Sequence, residues 1–199
     1  MTSPKSTPWN IPNLLTMLRI ALIPVFVSIF YLPSGMIPYH WVNVTATLLF
    51  ALAAATDWLD GYLARKWQQT SAFGAFLDPV ADKLMVAAAL IVLVDLSRTG
   101  VFVTLIIIGR EITISALREW MAGLGERGNV AVATIGKVKT AVQMIAILFL
   151  LYFDPIGIKG IGMMDTKFVG QILILIATFL TLVSMVYYIK AAWPSLKGK

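Results

Sequence analysis

The chain has no cysteine. That excludes disulfides, thiolate metal sites and a cysteine nucleophile. It has one histidine, His40, which falls in an interfacial loop on the outer side, and no Ser-His-Asp arrangement can be drawn. Charge is scarce. Only 13% of the 199 residues are charged, where a soluble globular domain carries about 25%. Acidic residues are scarcest, at ten. There is no internal repeat and no low-complexity segment. The first apolar run begins after Trp9, continues past signal-peptide length and lacks a small-residue cleavage site, so no cleaved leader is expected. The formal net charge of +6 is read as membrane topology and attraction to anionic headgroups, not as nucleic-acid binding.

What is present is apolar. The chain is 59% hydrophobic with a mean hydropathy of +0.84. Several continuous runs approach or exceed the roughly 20 residues that cross a bilayer. A β-barrel would instead alternate in segments of about 10 residues. The expectation is an all-α integral membrane bundle, one domain over 1–199, with six spans. They are placed near 14–32, 41–64, 79–96, 101–121, 138–153 and 168–189. Breaker-rich stretches separate them, including "GLGERGN" and "FDPIGIKGIG". With both termini cytoplasmic, thirteen of the sixteen cations lie on the cytoplasmic side and only Arg98, Lys159 and Lys167 fall outside, as the positive-inside rule requires. The stretch "WNIPNLLTMLRI", residues 9–20, reads either as a short interfacial helix or as the start of the first span.

Four of the ten acidic residues sit in one short segment, "TDWLDGYLARKWQQTSAFGAFLDPVADK", residues 56–83. Asp57 and Asp60 are three apart and Asp78 and Asp82 four apart, so each pair shares a helix face. Two neighbouring helices can aim four carboxylates at one point, where unpaired charge would be costly. Something cationic belongs among them. An all-oxygen donor set selects Mg²⁺, Mn²⁺ or Ca²⁺, and four carboxylates suit two ions sharing ligands in phosphoryl-transfer chemistry. Arg65 is placed to offset a diphosphate. Gly61, Ala64 and Gly74 leave room for a close approach. Asp78-Pro79 is either a helix start or an interior kink.

The segment reads D-x2-D-G-x2-A-R-x8-G-x3-D-x3-D. Eight such positions match by accident about once in 10¹⁰ registers. This pattern resembles the signature of the CDP-alcohol phosphatidyltransferase family at every signature position. The resemblance implies a six-helix membrane enzyme, a homodimer, in which an alcohol displaces CMP from a CDP-linked lipid. It implies that Asp57, Asp60, Asp78 and Asp82 hold two divalent cations, Mg²⁺ or Mn²⁺, with Asp82 also the general base. Asp60, Gly61, Ala64, Arg65 and Gly74 would line the site for the CDP-lipid. Placement in a bacterial inner membrane, with the site on the cytoplasmic face, goes with it.

A second group of charges concerns the acceptor. Arg110 lies about nine residues, or about 14 Å, into the fourth span, where an arginine needs a partner or a polar cavity. Glu111 beside it is read as pointing elsewhere on the helix. Arg118 follows two turns on. Lys137 and Lys139 are about 200° apart on a helix, so both face one site only if one is still in the loop. A cationic pocket favours glycerol 3-phosphate or inositol phosphate over choline, ethanolamine or serine. The stretches "NIPNLLTMLRI", "GREITISALREW" and "GKVKTAVQM" look like the bacterial phosphatidylglycerophosphate synthases within the family. That implies CDP-diacylglycerol and sn-glycerol 3-phosphate as substrates, with Arg110, Arg118, Lys137 and Lys139 on the acceptor phosphate. The competing readings are a sister enzyme using inositol phosphate, a divalent-cation transporter and a lipid-binding scaffold. A transport site belongs near the midplane between repeats, and the aspartates cluster at one face.

Overall fold

The computed structural model describes residues 10–33, 35–67, 72–123, 134–158 and 162–197. Among these the chain is all-α apart from one small hairpin. The helices are α1 (Ile11–Ser28), α2 (Tyr39–Lys66), α3 (Ala72–Asp95), α4 (Val101–Gly123), α5 (Thr134–Tyr152) and α6 (Thr166–Lys197). The hairpin pairs β1 (Ile156–Ile158) with β2 (Gly162–Met164) antiparallel, Ile156 opposite Met164. Each of the six expected spans corresponds to one helix. Contacts divide the chain into two compact units, Met1–Val92 and Leu93–Lys199.

In the first unit α1 packs on α2. The Asn10 side chain accepts from the Asn13 N–H and caps α1, and a proline occupies its first turn, where a missing N–H costs nothing. The helix then runs unbroken to Ser28. Residues 11–20, read either as an interfacial helix or as the start of the first span, are part of this one helix. The apolar core here includes Phe26, Ala46, Phe50 and Ala53, with the Phe26 and Phe50 rings 6.5 Å apart. α3 starts at Ala72, so Pro79 lies inside it and Asp78 is not its cap.

In the second unit α6 packs against both α4 and α5. Gly170 makes the α5 contact possible. A Cβ there would lie 2.8 Å from Leu150 Cγ and 3.2 Å from the Leu150 backbone nitrogen, inside van der Waals contact. Ile147, Leu150, Leu151, Ile174 and Ala177 fill this seam. Arg98 is buried and donates from Nη1 to the carbonyls of Leu150 and Leu151 at 2.9 and 2.7 Å. These are orphan carbonyls of the last turn of α5, and a cation is the favoured group at a helix C-terminus.

By length and apolar composition, two of the described helical stretches can cross a bilayer: Asn13–Tyr31 and Thr166–Trp193. Apart from Arg19 on α1, the charges of the two clusters described below lie on the other four helices.

Candidate active site

The carboxylate cluster belongs to the first unit and is organised by α1. Thr16 and Arg19 are three apart, hence on one face of α1, and both are buried. Arg19 Nη1 donates to Asp57 Oδ1 of α2 at 2.5 Å. Thr16 Oγ1 donates to Asp78 Oδ1 of α3 at 2.8 Å. One helix face therefore holds one carboxylate from each of the two motif helices. Asp57 and Asp78 are half-buried and Asp82 is exposed. Gly74 is buried and Gly61 partly so. Asp60, Ala64 and Arg65 lie on the α2 backbone, but their side chains fall outside the described residues.

Among the described residues no three acidic or histidine side chains gather as a ready metal cage. The donor chemistry nevertheless fits hard divalent cations, because the described carboxylates supply only oxygens. Thr16 and Arg19 are the kind of outer groups that orient ligating carboxylates. Neither was singled out for this site from the sequence. The signal was present for Arg19, since a buried arginine on an apolar helix implies a partner.

The cationic cluster belongs to the second unit. Arg110 is 7% exposed and Lys139 0%. Lys139 Nζ donates to Glu111 Oε1, and Arg110 Nη1 lies 3.4 Å from the same oxygen. Glu111 therefore faces the cations, contrary to the reading of it as turned away. Its side chain is long enough to reach back beside Arg110 and meet α5. Arg110 Nη2 donates to Ser184 Oγ of α6 at 3.1 Å. Arg118 Nη2 donates to the Tyr188 hydroxyl at 2.7 Å. The Tyr188 ring lies 5.4 Å from the Arg110 guanidinium and 4.9 Å from that of Arg118, within cation–π range.

Lys137 and Lys139 are both inside α5. The 200° between them resolves as expected for two helical residues: Lys139 is buried and Lys137 exposed. Glu111, Ser184 and Tyr188 were not assigned to the site from sequence. Ser184 and Tyr188 lie on α6, an apolar helix whose sequence shows no chemistry until its packing on α4 is known.

Two features of the cluster point to an anion. Arg110 and Lys139 face one carboxylate, Glu111, and Arg118 joins Arg110 on the Tyr188 ring, so among the described residues of the cluster two positive charges are in surplus. In addition, the Nε atoms of Arg110 and Arg118 are buried and have no hydrogen-bond partner among the described residues. Buried N–H donors in that state are costly and rare. An oxyanion with several acceptor oxygens would satisfy them.

Comparison with known proteins agrees with the motif. Residues 9–187 match the family model for CDP-alcohol phosphatidyltransferase. A protein of Pseudomonas fluorescens named CDP-diacylglycerol–glycerol-3-phosphate 3-phosphatidyltransferase is 52% identical over 192 residues, covering 94% of this chain and 92% of its own length. Proteins of the same name from Salmonella typhimurium and Pectobacterium atrosepticum are 48% and 49% identical, each over 92% of this chain and 95% of their own length. The chain is thus an enzyme of the CDP-alcohol phosphatidyltransferase family.

Proposed function

We propose that this chain transfers the phosphatidyl group of CDP-diacylglycerol to sn-glycerol 3-phosphate, giving phosphatidylglycerol phosphate and CMP. The observation that carries the choice of acceptor is the pair of buried Arg110 and half-buried Arg118, each with a buried Nε that has no partner among the described residues, in a cluster with two surplus positive charges. A phosphate monoester dianion matches that surplus and supplies the missing acceptors. A choline or ethanolamine acceptor would bring a third positive charge to it. The names of the relatives support the same pair of substrates.

Asp57, Asp60, Asp78 and Asp82 would hold two divalent cations, Mg²⁺ or Mn²⁺. When bound, such ions neutralise the bridging diphosphate and stabilise the departing CMP. Arg19 and Thr16 keep the Asp57 and Asp78 carboxylates in place for this role. Asp60, Gly61, Ala64, Arg65 and Gly74 bind the cytidine diphosphate part, with Arg65 on the diphosphate. Asp82, which is exposed, takes the proton of the attacking acceptor hydroxyl. A carboxylate is a weak base toward an alcohol, so proton transfer accompanies attack. Arg110, Arg118 and Lys139 hold the acceptor phosphate, and exposed Lys137 contributes longer-range attraction to it.

The enzyme works as one domain and a homodimer in a bacterial cytoplasmic membrane. Its six helices span that membrane, with both termini and the chemistry on the cytoplasmic side. Many large apolar side chains on α4 and α6 face outward, among them Phe102, Leu105, Leu175 and Phe179. Such a surface suits lipid and is unusual against water.

The test is CMP release by purified protein in nanodiscs with CDP-diacylglycerol and Mg²⁺. Glycerol 3-phosphate, inositol phosphate and serine are compared as acceptors. Release with glycerol 3-phosphate alone is expected. Release with inositol phosphate alone would replace the acceptor. No release with any acceptor from folded protein would sink the reading and favour ion transport.

A further inference from the structure

Gln143 has no role in the reaction described so far. It is 2% exposed, and its side-chain carbonyl Oε1 is buried with no hydrogen-bond partner among the described residues. A buried amide oxygen in that state costs free energy that an apolar residue of the same size would avoid. Its position is informative. It lies four residues after Lys139 on α5, so the two side chains share one helix face, and both are on the buried face. The rise between them is about 6 Å, comparable to the reach of a three-carbon phosphate ester from phosphate to hydroxyl. Lys139 in turn touches Glu111, which neighbours Arg110. Among the described residues, the buried atoms without partners include donors on Arg110 and Arg118 and the Gln143 carbonyl; the others are Arg19 Nε and the Thr99 and Thr104 hydroxyls, none of which lies on α5.

We infer that Gln143 is a specificity-determining residue, whose Oε1 accepts a hydrogen bond from the non-reacting hydroxyl of the acceptor while the cations hold its phosphate. This rests on the acceptor reading above and adds what that reading lacks. Cations recognise any phosphate monoester. A buried carbonyl one helical turn away selects a monoester with a hydroxyl at the right distance. A site built to take a hydrogen bond rejects analogues lacking the donor far more strongly than an apolar pocket rejects an extra group.

The experiment compares two acceptors on one enzyme preparation: sn-glycerol 3-phosphate and 1,3-propanediol monophosphate. The second keeps the phosphate and the reacting hydroxyl and lacks the middle one. kcat/KM is measured from CMP release for wild type, Gln143→Met and Gln143→Asn. Wild type is expected to prefer glycerol 3-phosphate by roughly a hundredfold. Gln143→Met should lose most of that preference by raising KM for glycerol 3-phosphate, with KM for CDP-diacylglycerol unchanged. The preference is a ratio within one preparation, so partial loss of folded protein does not alter it. An unchanged preference in Gln143→Met would overturn the inference. If neither variant folds, the wild-type ratio decides: equal use of the two acceptors also overturns it. Absence of CMP release from wild type with either acceptor is a different result, and it removes the acceptor reading itself.

Discussion

A guanidinium taken out of water needs acceptors for its N–H groups, and Arg118 finds one in the Tyr188 hydroxyl at 2.7 Å. The same ring lies beside Arg110 and Arg118, so Tyr188 positions both arginines. Tyr188→Phe keeps the ring and removes the hydroxyl. One hydrogen bond to a charged group is involved, so KM for the acceptor should rise roughly tenfold. kcat and KM for CDP-diacylglycerol should stay near wild type. A fall in kcat with an unchanged acceptor KM would mean that Tyr188 acts elsewhere. Asp82→Asn is a different kind of change. It removes the base and should lower kcat by roughly 10² to 10⁴, read as CMP release at saturating substrates. The two aspartate pairs and Arg110 stood out in the sequence, because charge inside an apolar helix always asks for an explanation. Tyr188 and Ser184 were not, since a tyrosine or serine on an apolar helix asks for none.

At the scale of elements, the helices follow from the apolar runs, with most boundaries near those expected; α6 runs eight residues past its expected end, to Lys197. Two further differences have physical causes. The hairpin at Ile156–Ile158 and Gly162–Met164 arises in a glycine-rich stretch that reads simply as a loop, because three-residue strands are too short to show alternation. α3 begins before Pro79, which sits exposed in the helix interior, so this proline does not open the helix as a first-turn proline would. The α5–α6 seam depends on Gly170. Gly170→Ala would place a methyl within 3.2 Å of the Leu150 backbone and should cost about 1–3 kcal/mol, seen as a lower thermal midpoint in detergent. Adding Leu150→Ala makes room at the Leu150 side chain. The alanine at 170 should then cost less in that background than alone. Equal cost in both backgrounds would show that the close approach is not what the glycine provides.

For the whole molecule, the bias of lysine and arginine toward one side predicts that both termini are cytoplasmic. The absence of cysteine makes this simple to check. A single cysteine from Ser3→Cys or Gly198→Cys should react with an impermeant maleimide in inside-out vesicles and not in intact spheroplasts. Opposite labelling of the two ends would mean an odd number of spans. Metal dependence is a second prediction at this scale. EDTA should abolish CMP release, and excess Mg²⁺ or Mn²⁺ should restore it. Full activity after exhaustive chelation would remove the two-metal role from Asp57, Asp60, Asp78 and Asp82.

By itself the sequence determined the class of protein. Long apolar runs can only bury themselves in lipid or one another as helices. The eight-position acidic motif, spaced at helical intervals, determined the family. The tertiary structure decided which side chains meet. It tied Asp57 to Arg19 and Asp78 to Thr16 across 38 and 62 residues of chain. It turned Glu111 toward Lys139, chose Lys139 over Lys137 for the buried face, and left Gln143 with an acceptor to satisfy. Such choices depend on which faces of separate helices pack together, and helical periodicity within one segment carries no information about its neighbour.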